Sequence, residues 1–273
     1  MLSAENGIWR IAFLAHLVLI AMSSVVQPAT AAPRITAQST TFIVTLDDGQ
    51  KLSGFDLKGA VLDVVIAAQP ARIRIAKIWR DKLNPDILLY DFRWLRADGS
   101  ERIMCPPGPD GTRAGLPVEG RGNAAGEILA SADGHFELTC TAGAQGKCAR
   151  FGYGPWKTAR DGIPMRDYYN ACIHLVRADY VGDGHATTRD GTLIDIYDHI
   201  GIQQDAPDPH HRFTFEAAFA KEGATCVAHP RIRQHVTLKE LARDAPRLVG
   251  HLGSRQCSEA LAGPKALVFV KSR

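Results

Sequence analysis

Between Asn170 and Asp198 the chain reads NACIHLVRADYVGDGHATTRDGTLIDIYD, which gathers Cys172, His174, His185 and five aspartates around two Asp-Gly pairs. Three chemistries compete there with a purely structural role. The carboxylates of Asp179, Asp183, Asp190 and Asp195 are the hard oxygen ligands that calcium takes. Their spacing is not that of an EF-hand loop, and Asp183-Gly184 and Asp190-Gly191 are turn formers in their own right. No metal or other cofactor is therefore expected. Cys172 and His174 suggest a thiol nucleophile, but residues two apart on a helix do not face each other. A dyad would need His185, His199 or His229 brought in by the fold. For acid–base work the candidates are His174, Asp179, Asp195 and His229, polar groups set in apolar surroundings. Glu216, inside FTFEAAF, is of the same kind. A buried carboxylate needs a partner, and Arg177 or Arg231 can supply it as a structural ion pair. His210-His211 lies in a polar, proline-containing loop and offers adventitious metal binding at most. GxSxG, HExxH, a phosphate-binding Walker loop and GxGxxG in strand–helix context are all missing.

Short strands and a few helices must position these groups. Residues 33–40 read as a loose leader. From Thr41 onward, TFIVTL, VLDVVI (61–66), ARIRIAKIW (71–79) and ILLYDFRWL (87–95) show period-two patterning broken by turn signals. Ile73, Ile75 and, after an offset, Ile78 form one apolar side. Asp98-Gly99 turns the chain towards ERIMC (101–105). Residues 41–104 form an expected antiparallel β unit, a sandwich or a small barrel, and a Pro- and Gly-rich loop (106–126) with one short strand at 117–119 completes a β-rich region of 41–126. HFELTC (135–140) is a further strand, and FGYGPW (151–156) a packed aromatic turn. Pro164–Tyr180 has helical spacing at Met165, Tyr168, Cys172 and Leu175, with Gly182 as its stop. Asp190-Gly191 is expected to turn a hairpin between 185–189 and 192–198. In the second arm Ile194 and Ile196 face one way, Asp195 and Tyr197 the other. Strands at 213–219 and 225–228 follow. Thr237-Leu238-Lys239-Glu240 is a capping box opening a helix that stops before Pro246. ALVFV (266–270) is a terminal strand. The class is α+β, with a disulfide-supported α+β domain at 135–273 after the β-rich region.

Arg10, the apolar run Ile11–Met22 and Ala29-Thr30-Ala31 form a secretory signal pattern, with cleavage expected after Ala31. The apolar run is shorter than the roughly 20 residues a spanning helix needs, so no membrane span is expected after cleavage. A net charge of +3 without a basic, aromatic-interleaved run makes nucleic acid a poor partner. Cys105, Cys140, Cys148, Cys172, Cys226 and Cys257 are an even set for an oxidising compartment, either periplasmic or extracellular. Cys140–Cys148, the nearest pair, is the favoured bridge. CxxC and zinc-type spacings are missing.

At Arg177–Gly184, RADYVGDG, the chain resembles the bacterial ADYC-domain family. The likeness includes Lys147-Cys148, Gly152-Tyr153, Pro155-Trp156, Ala171-Cys172, Thr188–Gly191, Ile194-Asp195, Tyr197-Asp198, Gly201-Ile202-Gln203, Phe215-Glu216-Ala217, Cys226-Val227, His229-Pro230-Arg231 and Ser272-Arg273. It covers 140–273 well and the β-rich part more loosely. Val181 stands where the family's naming cysteine is expected, and Ala245-Pro246 where the resemblance implies Cys-Pro. It further implies that those two positions normally bridge each other, and that the protein is exported and bacterial. It brings no activity. The resulting expectation is a non-catalytic, disulfide-stabilised module of the cell envelope or secreted fraction that recognises an envelope protein or a glycan. The alternative is a hydrolase with an Asp/His site around the RADY helix and the hairpin after it.

Overall fold

A computed structural model describes residues 33–66 and 69–273; the expected signal segment, 1–31, lies outside the described residues. Its first strand corrects the leader reading, because β1 (Arg34–Gln38) pairs antiparallel with β2 (Thr41–Thr45), which also pairs with β3 (Lys51–Ser53). The alternation of RITAQ is short and half polar, so only the tight turn through Ser39, whose φ is positive, marks it as a strand.

The patterned β segments become β4 (Val61–Ile66), β5 (Gln69–Arg80), β6 (Leu88–Leu95) and β7 (Glu101–Ile103), followed by β8 (Gly115–Glu119), β9 (Arg121–Gly122), β10 (Ile128–Leu129) and β11 (Phe136–Cys140). Six of these form one antiparallel sheet in the order β11-β8-β6-β5-β4, with β7 also on β6; β9 and β10 pair separately. The offset between Ile75 and Ile78 is a register shift between Ile75 and Lys77 where β5 meets β6. An extra residue there restores the apolar side to the core. Phe42, Val44 and Leu57 pack against Ile73, Ile75, Tyr90 and Phe92, so the three-stranded sheet lies over the six-stranded one.

The remaining strands and the α-helices are α1 (Ala144–Phe151), α2 (Met165–Arg177), β12 (Ile194–Asp198), β13 (Thr214–Ala220), β14 (Gly223–Val227), α3 (Leu238–Asp244) and β15 (Val268–Ser272). β12, β15, β13 and β14 form a four-stranded antiparallel sheet in that order. The architecture is α+β. The capping box forms as read, Thr237 and Glu240 bonding reciprocally at the start of α3. Three expectations are corrected. The segment TAGAQGK (141–147), which by composition alone is a flexible linker between Cys140 and Cys148, holds the first turn of α1. Gly146 is there for contact, since a Cβ on it would meet the Cys140 carbonyl oxygen at 2.3 Å. The RADY helix ends at Arg177 on Ala178, which takes the left-handed conformation itself (φ 51°), rather than at Gly182. The hairpin does not form: β12 pairs with the C-terminal β15, and 185–189 is irregular. Asp190-Gly191 still turns the chain (Gly191 φ 84°), but an Asp-Gly turn fixes only local direction, and β15 offers five paired residues.

The cysteines bridge as Cys105–Cys140, Cys148–Cys172 and Cys226–Cys257. The Cys140–Cys148 expectation is thus corrected. Folding 144–151 into a helix turns Cys148 towards α2, where Cys172 meets it, and leaves Cys140 at the end of β11 beside Cys105. Every residue from Tyr168 to Leu175 of α2 is buried, a helix apolar enough all round to be central. Its core includes Ile87, Leu89, Leu116 and Val118 of the β-rich region together with Ala217, Phe219, Val268 and Val270 of the C-terminal sheet. The opposite face of that sheet packs Tyr197, Phe269 and the Cys226–Cys257 bridge. Among the described residues no helix is long and apolar enough to cross a membrane.

Candidate functional site

The Asp179 carboxylate is the centre of the motif stretch. After Ala178 ends α2, the chain passes through Gly182 and Gly184, with φ of 84° and 91°. Glycine is required at both. A Cβ at Gly182 would meet the Glu222 carbonyl oxygen at 2.2 Å, and one at Gly184 the Ala125 Cα at 2.9 Å. This winding turns three successive amides inward. Gly182 and Asp183 N–H donate to Asp179 Oδ1 at 2.8 and 3.3 Å, and Gly184 N–H to Oδ2 at 2.8 Å. Such a run of amides is an anion nest, here filled by the chain's own side chain. His174, one turn back on α2 and with no exposed surface, donates from Nδ1 to Asp179 Oδ2 at 2.8 Å. Its Nε2 lies 3.1 Å from Glu127 Oε1 and 3.0 Å from the Lys221 carbonyl. Both ring nitrogens face only acceptors, an arrangement that favours the imidazolium. Burial opposes the charge, but the bonds to Asp179 and Glu127 outweigh it and raise the His174 pKa. For Asp179 burial likewise opposes ionisation; His174 and the amides of Gly182 and Gly184 prevail, and its pKa is lowered.

Glu216 and Arg231 make a second buried pair. Arg231 Nε and Nη2 each donate to a Glu216 oxygen at 3.0 Å, and further N–H groups reach the Leu175 and Val176 carbonyls at the end of α2. Tyr180 Oη donates to Glu216 Oε1 at 2.9 Å and accepts the Arg231 backbone N–H at 2.8 Å. Arg231, not Arg177, is thus the partner of Glu216; Arg177 donates to the Ala125 carbonyl.

The four acid–base candidates are not brought together. His174 and Asp179 share the buried network. Asp195 sits half-buried on β12, accepting from Ala206 N–H at 3.2 Å. Burial first, then a shared hydrogen bond with Asp205, raises its pKa. His229 Nε2 lies 3.0 Å from the Thr214 hydroxyl. The calcium candidates are also apart: Asp183 caps the His185 amide and Asp190 stands in its turn. Among the described residues no three His, Cys, Asp or Glu side chains are placed to hold a metal. Cys172 is bonded to Cys148 and carries no free thiol.

Asp198 is the group that sequence reasoning passed over. Its carboxylate accepts from the amides of Ile200, Ile202 and Gln203 and from the Tyr153 hydroxyl at 2.7 Å. The signal was present: Asp179 and Asp198 each stand three residues before a glycine, Gly182 and Gly201, that turns the backbone over the carboxylate. Glu127, the third member of the His174 network, sits in an irregular loop and had no local signature.

Beside the buried networks runs an open groove of about 880 Å3 between α1, the end of α2 and the 186–196 segment. Phe151, Val176 and Leu193 give it apolar wall, Lys147, Arg177 and Arg189 positive charge. Asp195 and Arg231 reach it; His174, Asp179 and His229 do not line it. In comparisons with known proteins, residues 50–233 match the family model of the ADYC domain, a span that includes the whole six-stranded sheet as well as α1 and α2. No curated protein and no solved structure matches.

Proposed function

The chain belongs to the ADYC domain family, and on that premise we propose that it is an exported, disulfide-stabilised binding or structural module of the cell envelope or secreted fraction, acting without catalysis. The observation that carries this reading is the fate of the candidate acids and bases. Asp179, His174 and Glu216 spend their hydrogen-bonding capacity on backbone amides, carbonyls and each other. The accessible feature next to them is a groove of mixed apolar and basic lining, which suits recognition of a protein or glycan. The three disulfides suit an oxidising compartment.

A hydrolase is the second reading, and one observation favours it: Asp195 lines the groove next to Asp205, with its pKa raised. The test is a screen of the immobilised protein against displayed random peptides and a glycan array. A saturable ligand is expected, weakened at least about tenfold by Leu193→Asp or Lys147→Glu. Turnover of ester, peptide or glycoside substrates that Asp195→Asn abolishes would instead establish the hydrolase.

We also propose that Val181 and Ala245 mark a lost disulfide. Ala245 is buried in the core cluster on which Val181 packs. Arg247, two residues on, donates to the Tyr180 and Val181 carbonyls at 3.0 and 2.8 Å. The double variant Val181→Cys, Ala245→Cys is expected to form a fourth bridge, seen by mass spectrometric mapping as a linked peptide and by a reductant-sensitive rise in Tm. Two alkylatable thiols in the folded, oxidised protein would refute it.

A further inference from the structure

β4 and β11 are the two ends of the six-stranded sheet, yet together they line one cleft of about 510 Å3. A sheet whose ends share a cleft has curled on itself and stopped short of closing. Leu62–Ile66 and Gly134–Leu138 line the cleft without a break. A cavity on one sheet face would be lined by every second residue, since side chains alternate; unbroken lining means the cleft runs along the backbone edges. The ladder agrees. Ile75 N–H donates to the Ala60 carbonyl, and Thr141 N–H to the Ala114 carbonyl. By two-residue alternation the amides of Val61, Asp63 and Val65 point away from β5, and those of Phe136 and Leu138 away from β8. These five amides have no backbone partner among the described residues. β4 also lacks the usual protection of an edge. It carries one charge, and Val61 and Val65 are 42% and 74% exposed.

We propose that this cleft is a strand-addition site, where an extended segment of a partner protein pairs with β4 and β11 together and closes the sheet. The lining sets the chemistry of that segment. Ile35, Val64, Phe136 and Leu138 pack on the core beneath, so its inward side chains are apolar. The lining holds three carboxylates, Asp63, Asp133 and Glu137, with His135 as its one ionisable base. Arg72 and Arg121 pair with Asp63 and Asp133 from outside the cleft through exposed contacts, which are weak. The outward side chains of the segment are therefore basic. A second copy of β4 is a poorer occupant, because antiparallel self-pairing sets Asp63 close to its own counterpart.

The probe is a short labelled peptide alternating Lys and Val, with a Glu–Val peptide as control. Fluorescence anisotropy is expected to show saturable binding of the Lys–Val peptide only, with NMR amide shifts concentrated at 61–66 and 134–138. Val65→Pro removes an outward amide without breaking the β4–β5 ladder and is expected to weaken binding at least about tenfold. Asp63→Arg, an exposed change, is expected to weaken the Lys–Val peptide and favour the Glu–Val one. Equal binding of both peptides, shifts elsewhere, or no effect of either variant would overturn the proposal. A dimer in sedimentation that Val65→Pro dissociates would overturn it too, by naming a second copy as occupant.

Discussion

Replacing Arg231 with Met is expected to destabilise the fold by roughly 3–5 kcal/mol, because it strands the buried Glu216 carboxylate without its counter-charge. More than that ion pair is lost. The guanidinium also serves the Leu175 and Val176 carbonyls, which belong to the last turn of α2, where a cation is favoured; the Leu175 carbonyl otherwise accepts the Ala178 N–H of the cap. Arg231 thus ties β13, through Glu216, to the helix packed on it. Tyr180 completes the group by bridging Glu216 and the Arg231 backbone. The double variant Glu216→Leu, Arg231→Met separates the two parts of the effect. It removes both charges, so it is expected to recover much of the loss, leaving the cost of the helix carbonyls and the Tyr180 hydroxyl. Urea unfolding of the three proteins checks this. A loss below about 1 kcal/mol in the single variant would mean that water enters and solvates Glu216.

Where local chemistry decides conformation, the sequence was readable. The β4, β5 and β6 ranges, the offset within β5, the capping box of α3 and the burial of Glu216 against an arginine follow from alternation, one extra residue, a Thr–Glu spacing and an unpaired charge. What escaped was set by distant contacts. Gly146 looks like linker composition, but it is glycine because the Cys140 carbonyl lies against it. Cys148 therefore sits on a helix and meets Cys172, not its neighbour in the chain. The hairpin failed for the same reason: its second arm had a better partner in β15, some seventy residues on. In the motif stretch the residue types were legible but not their direction. Asp179 and its two glycines can equally cradle a ligand or hold a side chain, and only the buried His174 behind them decides for the second.

That arrangement makes stability depend on pH in a defined direction. His174→Gln is expected to cost roughly 3 kcal/mol near pH 6, and much less at high pH. Folding raises the His174 pKa above its ordinary value of 6.5, so its contribution is complete below 6.5 and disappears as pH rises through the folded value. Asp179 behaves oppositely. Its pKa is lowered from 3.8, so its contribution is complete above 3.8 and disappears as pH falls through the lower folded value. Between these limits both act together, and the wild-type advantage over the variant is greatest there. The charged groups facing the imidazole are Glu127 and Asp179, with Arg247 near enough to Asp179 to interact with it; the lowered pKa of Asp179 keeps its own titration well below this range. Urea unfolding of both proteins across pH 5–9 reads the difference directly, and imidazole nitrogen shifts report when Nδ1 or Nε2 loses its proton. A wild-type advantage that stays constant from pH 5 to 9 would mean that His174 acts by shape alone. A decline towards alkaline pH would identify the Asp179 nest as a clamp closed by a buried imidazolium, tying α2 to the 123–128 loop, the 182–184 turn and the β13–β14 connection.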